Sequence, residues 1–101
     1  FNLNSEEYIC SGSKSKFEQE GVEITSYKRE GNVFIQTVYG EEHLFKIIHE
    51  TPGFVILAQT YEYPSIFTTI IDKVRKVYTE YYLISNEQTR SLPMVGQCMI
   101  R

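Results

Sequence analysis

The sequence contains no tryptophan and only one alanine, Ala58, among its 101 residues. Helical domains usually fill their surface positions with alanine, leucine, glutamate and lysine, so the near absence of alanine disfavours a helical protein. The chain instead carries eight tyrosines, six phenylalanines and many isoleucine, valine and threonine residues. Because β-branched and aromatic side chains fit the pleated, half-buried surface of a sheet, the composition predicts a strand-rich fold.

Long apolar segments and concentrated positive charge are also missing. No apolar run approaches the roughly 20 residues that a membrane-spanning helix requires, which predicts no membrane insertion. The net charge is −3, and the positive charges are scattered apart from the short group Lys73, Arg75 and Lys76. Because binding to phosphates requires a concentrated basic face, nucleic acid is not an expected partner.

The length and polarity of the chain predict one folded domain. A content of 42% apolar and 23% charged residues is typical of a globular protein and not of a disordered one. A chain of 101 residues holds one core but not two, so we expect residues 1–101 to form a single domain. The chain begins at Phe1 instead of Met, as it would after removal of a signal peptide or in a shortened chain.

Turn-forming residues divide the chain into eight short, strand-like runs. The runs are EEYICSG, GVEITSYKRE, NVFIQTVY, HLFKIIHE, FVILAQTYEY, SIFTTIID, VRKVYTEYYLIS and GQCMIR. Strands joined by short links must be antiparallel, because a parallel pair needs a crossover of a dozen residues or more. We therefore predict a mainly β fold, an antiparallel meander of about eight strands that forms a small barrel or a sandwich.

Residues 66–84 allow an alternative to this interpretation. Their apolar side chains recur at helical spacing, which would give an amphipathic helix. Most of the segment is β-branched or aromatic, however, and such residues disfavour a helix. We therefore favour a hairpin in which Asp72 opens a turn through Lys73 and Val74, with a helix over 66–84 as the alternative.

The two cysteines, Cys10 and Cys98, lie in strand-like runs near opposite ends of the chain. Closure of an antiparallel barrel or sheet would bring the first and last strands together, so we expect a disulfide between them. Such a bond persists where the environment is oxidising, which predicts a periplasmic or secreted protein. The alternative is that both are free, buried cysteines of a cytosolic protein.

No motif in the sequence indicates catalysis, a metal site or a cofactor. There is no C-x-x-C pair, no G-x-S-x-G motif and no phosphate-binding glycine loop. His43 and His49 are six residues apart on one predicted strand, about 20 Å at 3.3 Å per residue, and cannot share a metal ion. Residues 41–43, Glu-Glu-His, could hold a cation weakly, although charged turn residues are commonly just solvated.

The tyrosines are the strongest indication of a binding surface. Tyr61 and Tyr63 are two residues apart, and Tyr78 and Tyr82 share a face of the later strand. Exposed tyrosines are enriched at binding surfaces, although cross-strand aromatic pairs also stabilise sheets. We predict that these four tyrosines recognise a protein or a glycan. The set of basic residues nearby, which would pair with acidic groups, is Lys73, Arg75 and Lys76.

Three segments carry a resemblance to known proteins. YICSG near the start, TTIIDKVRKVYTEYYLIS in the latter half and GQC near the end resemble small secreted bacterial proteins of unknown function, which share a β-meander, an I-D-K hairpin and a terminal G-x-C. The Y-x-C opening is also similar to that of periplasmic inhibitors of lysozyme, whose S-G-x-x-Y type motif this chain lacks. The resemblance implies an exported β protein and names no catalytic residue.

We therefore expect a non-enzymatic exported domain that acts as an inhibitor or interaction module. One alternative is a lipocalin-like carrier of a small apolar ligand, but the inward candidates Phe34, Phe45, Phe54 and Leu57 are bulky and would fill the barrel. A second alternative is the subunit of a homodimer or larger homo-oligomer. Several strands carry apolar residues on both faces, which predicts that a second layer, a helix or a partner covers part of the outer surface.

Overall fold

The computed structural model describes residues 6–13, 22–60, 65–84 and 94–101, and these residues form eight β-strands and no helix. The strands are β1 (Glu7–Ser13), β2 (Val22–Glu30), β3 (Val33–Val38), β4 (Glu41–Glu50), β5 (Phe54–Thr60), β6 (Ser65–Asp72), β7 (Val77–Ile84) and β8 (Met94–Ile100). Each strand pairs with the next in antiparallel fashion, and β8 pairs with β1 to close a barrel. The predicted antiparallel β fold is confirmed, and its form is a barrel.

Residues 65–84 form a hairpin, so the helical alternative is wrong. β6 and β7 pair along their whole length, from Ser65 opposite Ile84 to Asp72 opposite Val77. The turn covers residues 73–76 and is longer than the sequence predicted, because Arg75 belongs to the turn and not to the returning strand. Packing in the sheet has therefore overridden the helical spacing of the apolar residues.

The closure of the barrel is covalent as well as hydrogen-bonded. Cys10 of β1 lies directly opposite Cys98 of β8, and the two are joined by a disulfide with a Cα–Cα distance of 4.0 Å. Both cysteines are buried. The predicted pairing is confirmed, and it links positions 88 residues apart in the chain.

The interior of the barrel is filled mainly by aromatic and aliphatic side chains. The fully buried large residues are Tyr8, Tyr27, Phe34, Phe45, Val55, Leu57, Ile71 and Tyr78. The inward positions predicted for Phe34, Phe45 and Leu57 are confirmed. Phe54 is different, because it is only partly buried and its ring lies 5.8 Å from that of the exposed His49, so it does not fill the interior.

A β-bulge in β4 changes which side chains face inward. Ile47 pairs with Leu57 and His49 pairs with Ile56, so that Ile48 is one extra residue in the strand. Before the bulge, the odd-numbered residues of β4 face the interior. After the bulge, the even-numbered Glu50 faces the interior. His43 and His49 therefore lie on opposite faces, whereas unbroken alternation predicted one face.

Charged side chains occupy one end of the interior, here called the base, where the turns at residues 31–32, 51–53 and 73–76 lie. Arg29 donates to Glu6 at 3.1 Å and to both oxygens of Glu50, and Lys73 donates to Glu50 at 2.7 Å. The hydroxyl of Tyr8 donates to Glu6. These contacts form a network of alternating charges that closes the base.

The outer face of the barrel carries exposed apolar side chains. The large ones are Ile24, Leu44, Ile48, Ile66, Ile70, Tyr81, Val95 and Met99. No second layer or helix covers them in the part of the chain that the structure describes, so coverage by a partner stays a prediction. Among the same residues there is no helix of a length and apolar character that would cross a membrane.

Candidate binding pocket at the barrel mouth

A pocket of about 200 Å³, lined by both polar and apolar side chains, opens at the end of the barrel opposite the base, here called the mouth. Its lining consists of Glu23, Gln36, Val38, Tyr39, Glu41, His43, Gln59, Phe67 and Glu80. These residues come from β2 to β7 and from the turn between β3 and β4. The pocket is smaller than the 300 Å³ or more of a typical small-molecule site, so it suits a group the size of one side chain.

The strand period places polar residues in this pocket. Side chains two residues apart lie on the same face of a strand, so Gln36 lies on the interior face with Phe34 and Glu80 lies there with Tyr78. The interior thus changes from apolar in its middle to polar at its mouth.

Glu80 is held by a network at the floor of the pocket. Tyr27 donates its hydroxyl hydrogen to Glu80 Oε2 at 2.9 Å, and Gln36 Nε2 donates to the same oxygen at 3.2 Å. Gln36 Nε2 also lies 3.1 Å from the Tyr27 hydroxyl, which lies 3.2 Å from that of Thr69. Tyr27 and Thr69 are fully buried, so the carboxylate has a fixed support.

The surroundings of Glu80 disfavour its negative charge. Burial raises the pKa of Glu80 above its ordinary value of 4.5, and the charge of Glu23 raises it further, while the hydrogen bonds from Tyr27 and Gln36 act in the opposite direction. The charge of Glu80 in turn adds to the effect of burial in raising the pKa of Tyr27. A positive charge in the pocket would relieve this repulsion between carboxylates.

Two acceptor oxygens in the pocket receive no hydrogen bond from a described residue. Gln36 is only 6% exposed, its amide nitrogen makes both of its hydrogen bonds, and no described residue donates to its Oε1. Both hydrogen bonds to Glu80 reach Oε2, and none from a described residue reaches Oε1. Among the described residues that line the pocket there is neither lysine nor arginine. A ligand with hydrogen-bond donors and positive charge would complement this lining.

An aromatic side chain stands at the rim of the pocket. Tyr39 is 72% exposed and has a φ of 51°, and Gly40, which follows it in the turn between β3 and β4, has a φ of 79°. Positive φ at both central positions is the conformation of the tight turns that match the twist of a hairpin. A bulky residue rarely adopts it, so the turn holds an aromatic ring at the rim at some cost in strain.

The structure places one of the four predicted tyrosines, Tyr78, away from the expected surface. Tyr78 is 1% exposed, so its assignment to a binding surface is corrected: β7 directs it inward, where its hydroxyl packs over Gly12. Tyr61 and Tyr63 lie outside the described residues, and so does the side chain of Tyr82.

The predicted basic residues all lie in the turn between β6 and β7, at the base and away from the mouth. Lys73 is engaged by Glu50 at 2.7 Å and by Glu6 at 3.6 Å. Arg75 and Lys76 are exposed. The described part of the chain therefore does not bring the basic group together with Tyr78.

Sequence reasoning missed most of the residues of the mouth pocket. The Glu-Glu-His segment predicts a weak cation site, and two of its members, Glu41 and His43, line the pocket 3.5 Å apart. Glu23, Gln36 and Glu80 were not identified. Gln36 lies two residues from Phe34, and Glu80 lies two residues from Tyr78, so each polar residue shares a strand face with a core aromatic residue. This relationship identifies the pocket only once the inward face of each strand is known.

No protein-family model, curated protein or solved structure matches this chain. Among the described residues, no group of three or more histidine, cysteine, aspartate or glutamate side chains is arranged to hold a metal ion. We therefore infer the function from the geometry of the pocket.

Proposed function

We propose that this protein is a non-enzymatic, exported interaction module that holds a positively charged side chain of a protein partner in its mouth pocket. The observation that carries the proposal is the set of acceptors around that pocket. Three carboxylates, Glu23, Glu41 and Glu80, line it together with the buried Gln36, whose amide oxygen receives no hydrogen bond from a described residue.

A lysine ammonium or an arginine guanidinium suits this site. Both are rich in donors and positively charged, and charge-assisted hydrogen bonds to carboxylates are the strong ones. Phe67 lines the wall and Tyr39 the rim, and a cation is also attracted to the face of an aromatic ring. In this proposal, Tyr39 and Phe67 make the aromatic contacts to the partner that the sequence analysis assigned to four tyrosines.

The exported location is supported by the disulfide between Cys10 and Cys98, because such bonds persist in oxidising compartments. The carrier alternative has less support. A carrier needs an unfilled apolar interior, and the described interior is occupied by Tyr27, Phe34 and Phe45.

The test is an NMR titration that follows the side-chain amide signals of Gln36 and Gln59. The probes are Nα-acetyl-arginine-N-methylamide and the corresponding lysine and citrulline derivatives, since citrulline is a neutral analogue of arginine. We expect the two cationic probes to shift these signals with dissociation constants of about 1–10 mM, as for a small ligand with few contacts.

The matched variants are Glu41→Gln, which removes a carboxylate from the rim, and Glu42→Gln, which removes the exposed neighbouring charge that does not line the pocket. Only Glu41→Gln should weaken binding. Equal shifts with the citrulline derivative, or no shift with any probe, would contradict the proposal. Shifts caused only by a neutral oligosaccharide such as chitobiose would assign the pocket to a glycan instead.

A further inference from the structure

The base of the barrel presents a rigid turn at residues 73–76, here called the basic turn. Asp72 Oδ1 accepts hydrogen bonds from the backbone N–H groups of Val74 at 3.0 Å and Arg75 at 2.9 Å. The N–H of Lys76 donates to the carbonyl of Asp72 at 2.9 Å, and Lys76 has a φ of 60°. These bonds fix the backbone, so the turn has a defined shape before it meets a partner.

The tip of the basic turn is both apolar and positively charged. Val74 is 75% exposed, and the side chains of Arg75 and Lys76 are exposed as well. Lys73 is neutralised by Glu50, whereas no acidic side chain among the described residues pairs with Arg75 or Lys76. The turn therefore carries a basic side chain with an adjacent apolar one and no intramolecular partner for the charge.

The mouth pocket has the complementary properties. It combines carboxylates with the apolar or aromatic side chains Val38, Tyr39 and Phe67, and its volume suits one side chain. Arg75 would meet the carboxylates, and Val74 would meet the apolar rim. A rigid turn also loses little conformational entropy on binding, which favours association.

We infer that the mouth pocket of one copy receives Arg75 of a second copy, so that the chain associates head to tail. This inference rests on the proposed function and names the partner of the same pocket. Because the pocket and the basic turn lie at opposite ends of the barrel, the contact is heterologous and joins copies end to end, instead of producing a symmetric dimer through one shared patch. Opposite charges would orient the two ends as they approach.

The experiment is sedimentation velocity of the intact, oxidised protein over increasing concentrations at low and high salt. We expect the mean sedimentation coefficient of the wild type to rise with concentration and to fall with added NaCl, because salt screens the charges. Arg75→Ala and Glu41→Lys should each raise the dissociation constant about tenfold or more. Lys46→Glu is the control, because Lys46 is exposed on the side of the barrel. This variant should raise the dissociation constant less than the other two.

Mixing the two variants sharpens the test. Arg75→Ala keeps the mouth and Glu41→Lys keeps the basic turn, so an equimolar mixture should form a one-to-one dimer that grows no further. Association that persists in both single variants would place the contact elsewhere and overturn the inference.

A second comparison separates this inference from the proposed function. If the arginine probe binds the mouth while the wild type stays monomeric at every concentration, the head-to-tail contact is wrong and the proposed function stands. If the probe does not bind and the protein does not associate, both are wrong.

Discussion

Arg29 donates two hydrogen bonds to Glu50, one to each carboxylate oxygen, at 2.7 and 2.8 Å across the base of the barrel. The contact exists because the bulge at Ile48 brings Glu50 to the interior side of β4. Arg29 also lies over the ring of Phe34, with its guanidinium carbon 5.3 Å from the ring centre. The base is thus closed by a charged pair that rests on the aromatic core.

Acid should weaken the protein through this pair. Hydrogen bonds from Arg29 lower the pKa of Glu50 to about 2 from an ordinary value of 4.5. A carboxyl group whose pKa is lower in the folded state stabilises the fold fully above its unfolded pKa, and this contribution is lost as the pH falls from about 4.5 toward 2. Urea denaturation at a series of pH values measures the effect.

Glu50→Gln should lower the free energy of unfolding at neutral pH by about 2 kcal/mol, because two charged donors lose their anion. It should also flatten the dependence of stability on pH below 4.5. Glu30→Gln is the matched control, since Glu30 is exposed near the same end of the barrel. Equal stability of the two variants would show that the network at the base contributes nothing measurable.

The disulfide should contribute strongly to stability. It links Cys10 and Cys98, which are 88 residues apart, and the chain-entropy model gives about 4.6 kcal/mol for a loop of that length. We expect reduction to lower the urea midpoint of the wild type and to leave the Cys10→Ala/Cys98→Ala variant unchanged. Alkylation of the denatured, unreduced protein followed by intact mass should add no label, and two labels would contradict the bond.

Gly12 should tolerate no side chain. It lies opposite Gly96 in the pairing of β1 with β8, and a Cβ at position 12 would overlap the hydroxyl of the buried Tyr78. Gly12→Ala should therefore cost about 2 kcal/mol, as overpacking does. Gly53→Ala is the control, because a Cβ there would meet only the Thr51 hydroxyl at 3.7 Å.

A second change tests the cause of this loss. Tyr78→Phe removes the hydroxyl that a Gly12→Ala side chain would meet, so the double variant should recover part of the stability lost by Gly12→Ala alone. A strictly additive result, measured by thermal unfolding, would mean that another contact makes Gly12 necessary.

Glu80 should link cation binding to pH. Its carboxyl must be ionised to attract a cation, and its pKa is raised by burial and by Glu23, so affinity for the arginine probe should fall on acidification at a pH above 4.5. Glu80→Gln should weaken binding about tenfold and remove this step. An unchanged pH profile in this variant would assign the titration to another group.

The same variant should not destabilise the protein at neutral pH. When the pKa of a carboxyl group is raised in the folded state, the protein becomes less stable as the pH rises from the unfolded pKa to the folded pKa of that group. The neutral amide of glutamine does not ionise, so the variant avoids this loss of stability. The amide oxygen can still accept from Tyr27. Lower affinity with unimpaired urea stability would distinguish a role in binding from a role in folding.

The mouth pocket could be predicted only in part from the sequence. The Glu-Glu-His segment at residues 41–43 indicated weak cation binding, but Gln36 and Glu80 carried no signal of their own. Alternation shows that a strand has two faces, but it does not show which face is buried when both carry apolar residues. In β2 the buried face includes Thr25, whereas Ile24 is 57% exposed.

The sequence by itself predicted the strands and their antiparallel order and favoured the hairpin over residues 65–84, because β-branched composition and short turns disfavour the alternatives. It also predicted the disulfide between Cys10 and Cys98, on the condition that the first and last strands are neighbours. Only the tertiary structure decided that Tyr78 points inward and that Glu50 joins Arg29. Closure of the barrel pairs β1 with the distant β8, and one extra residue at Ile48 changes the face on which Glu50 lies, and alternation along the chain shows neither of these features.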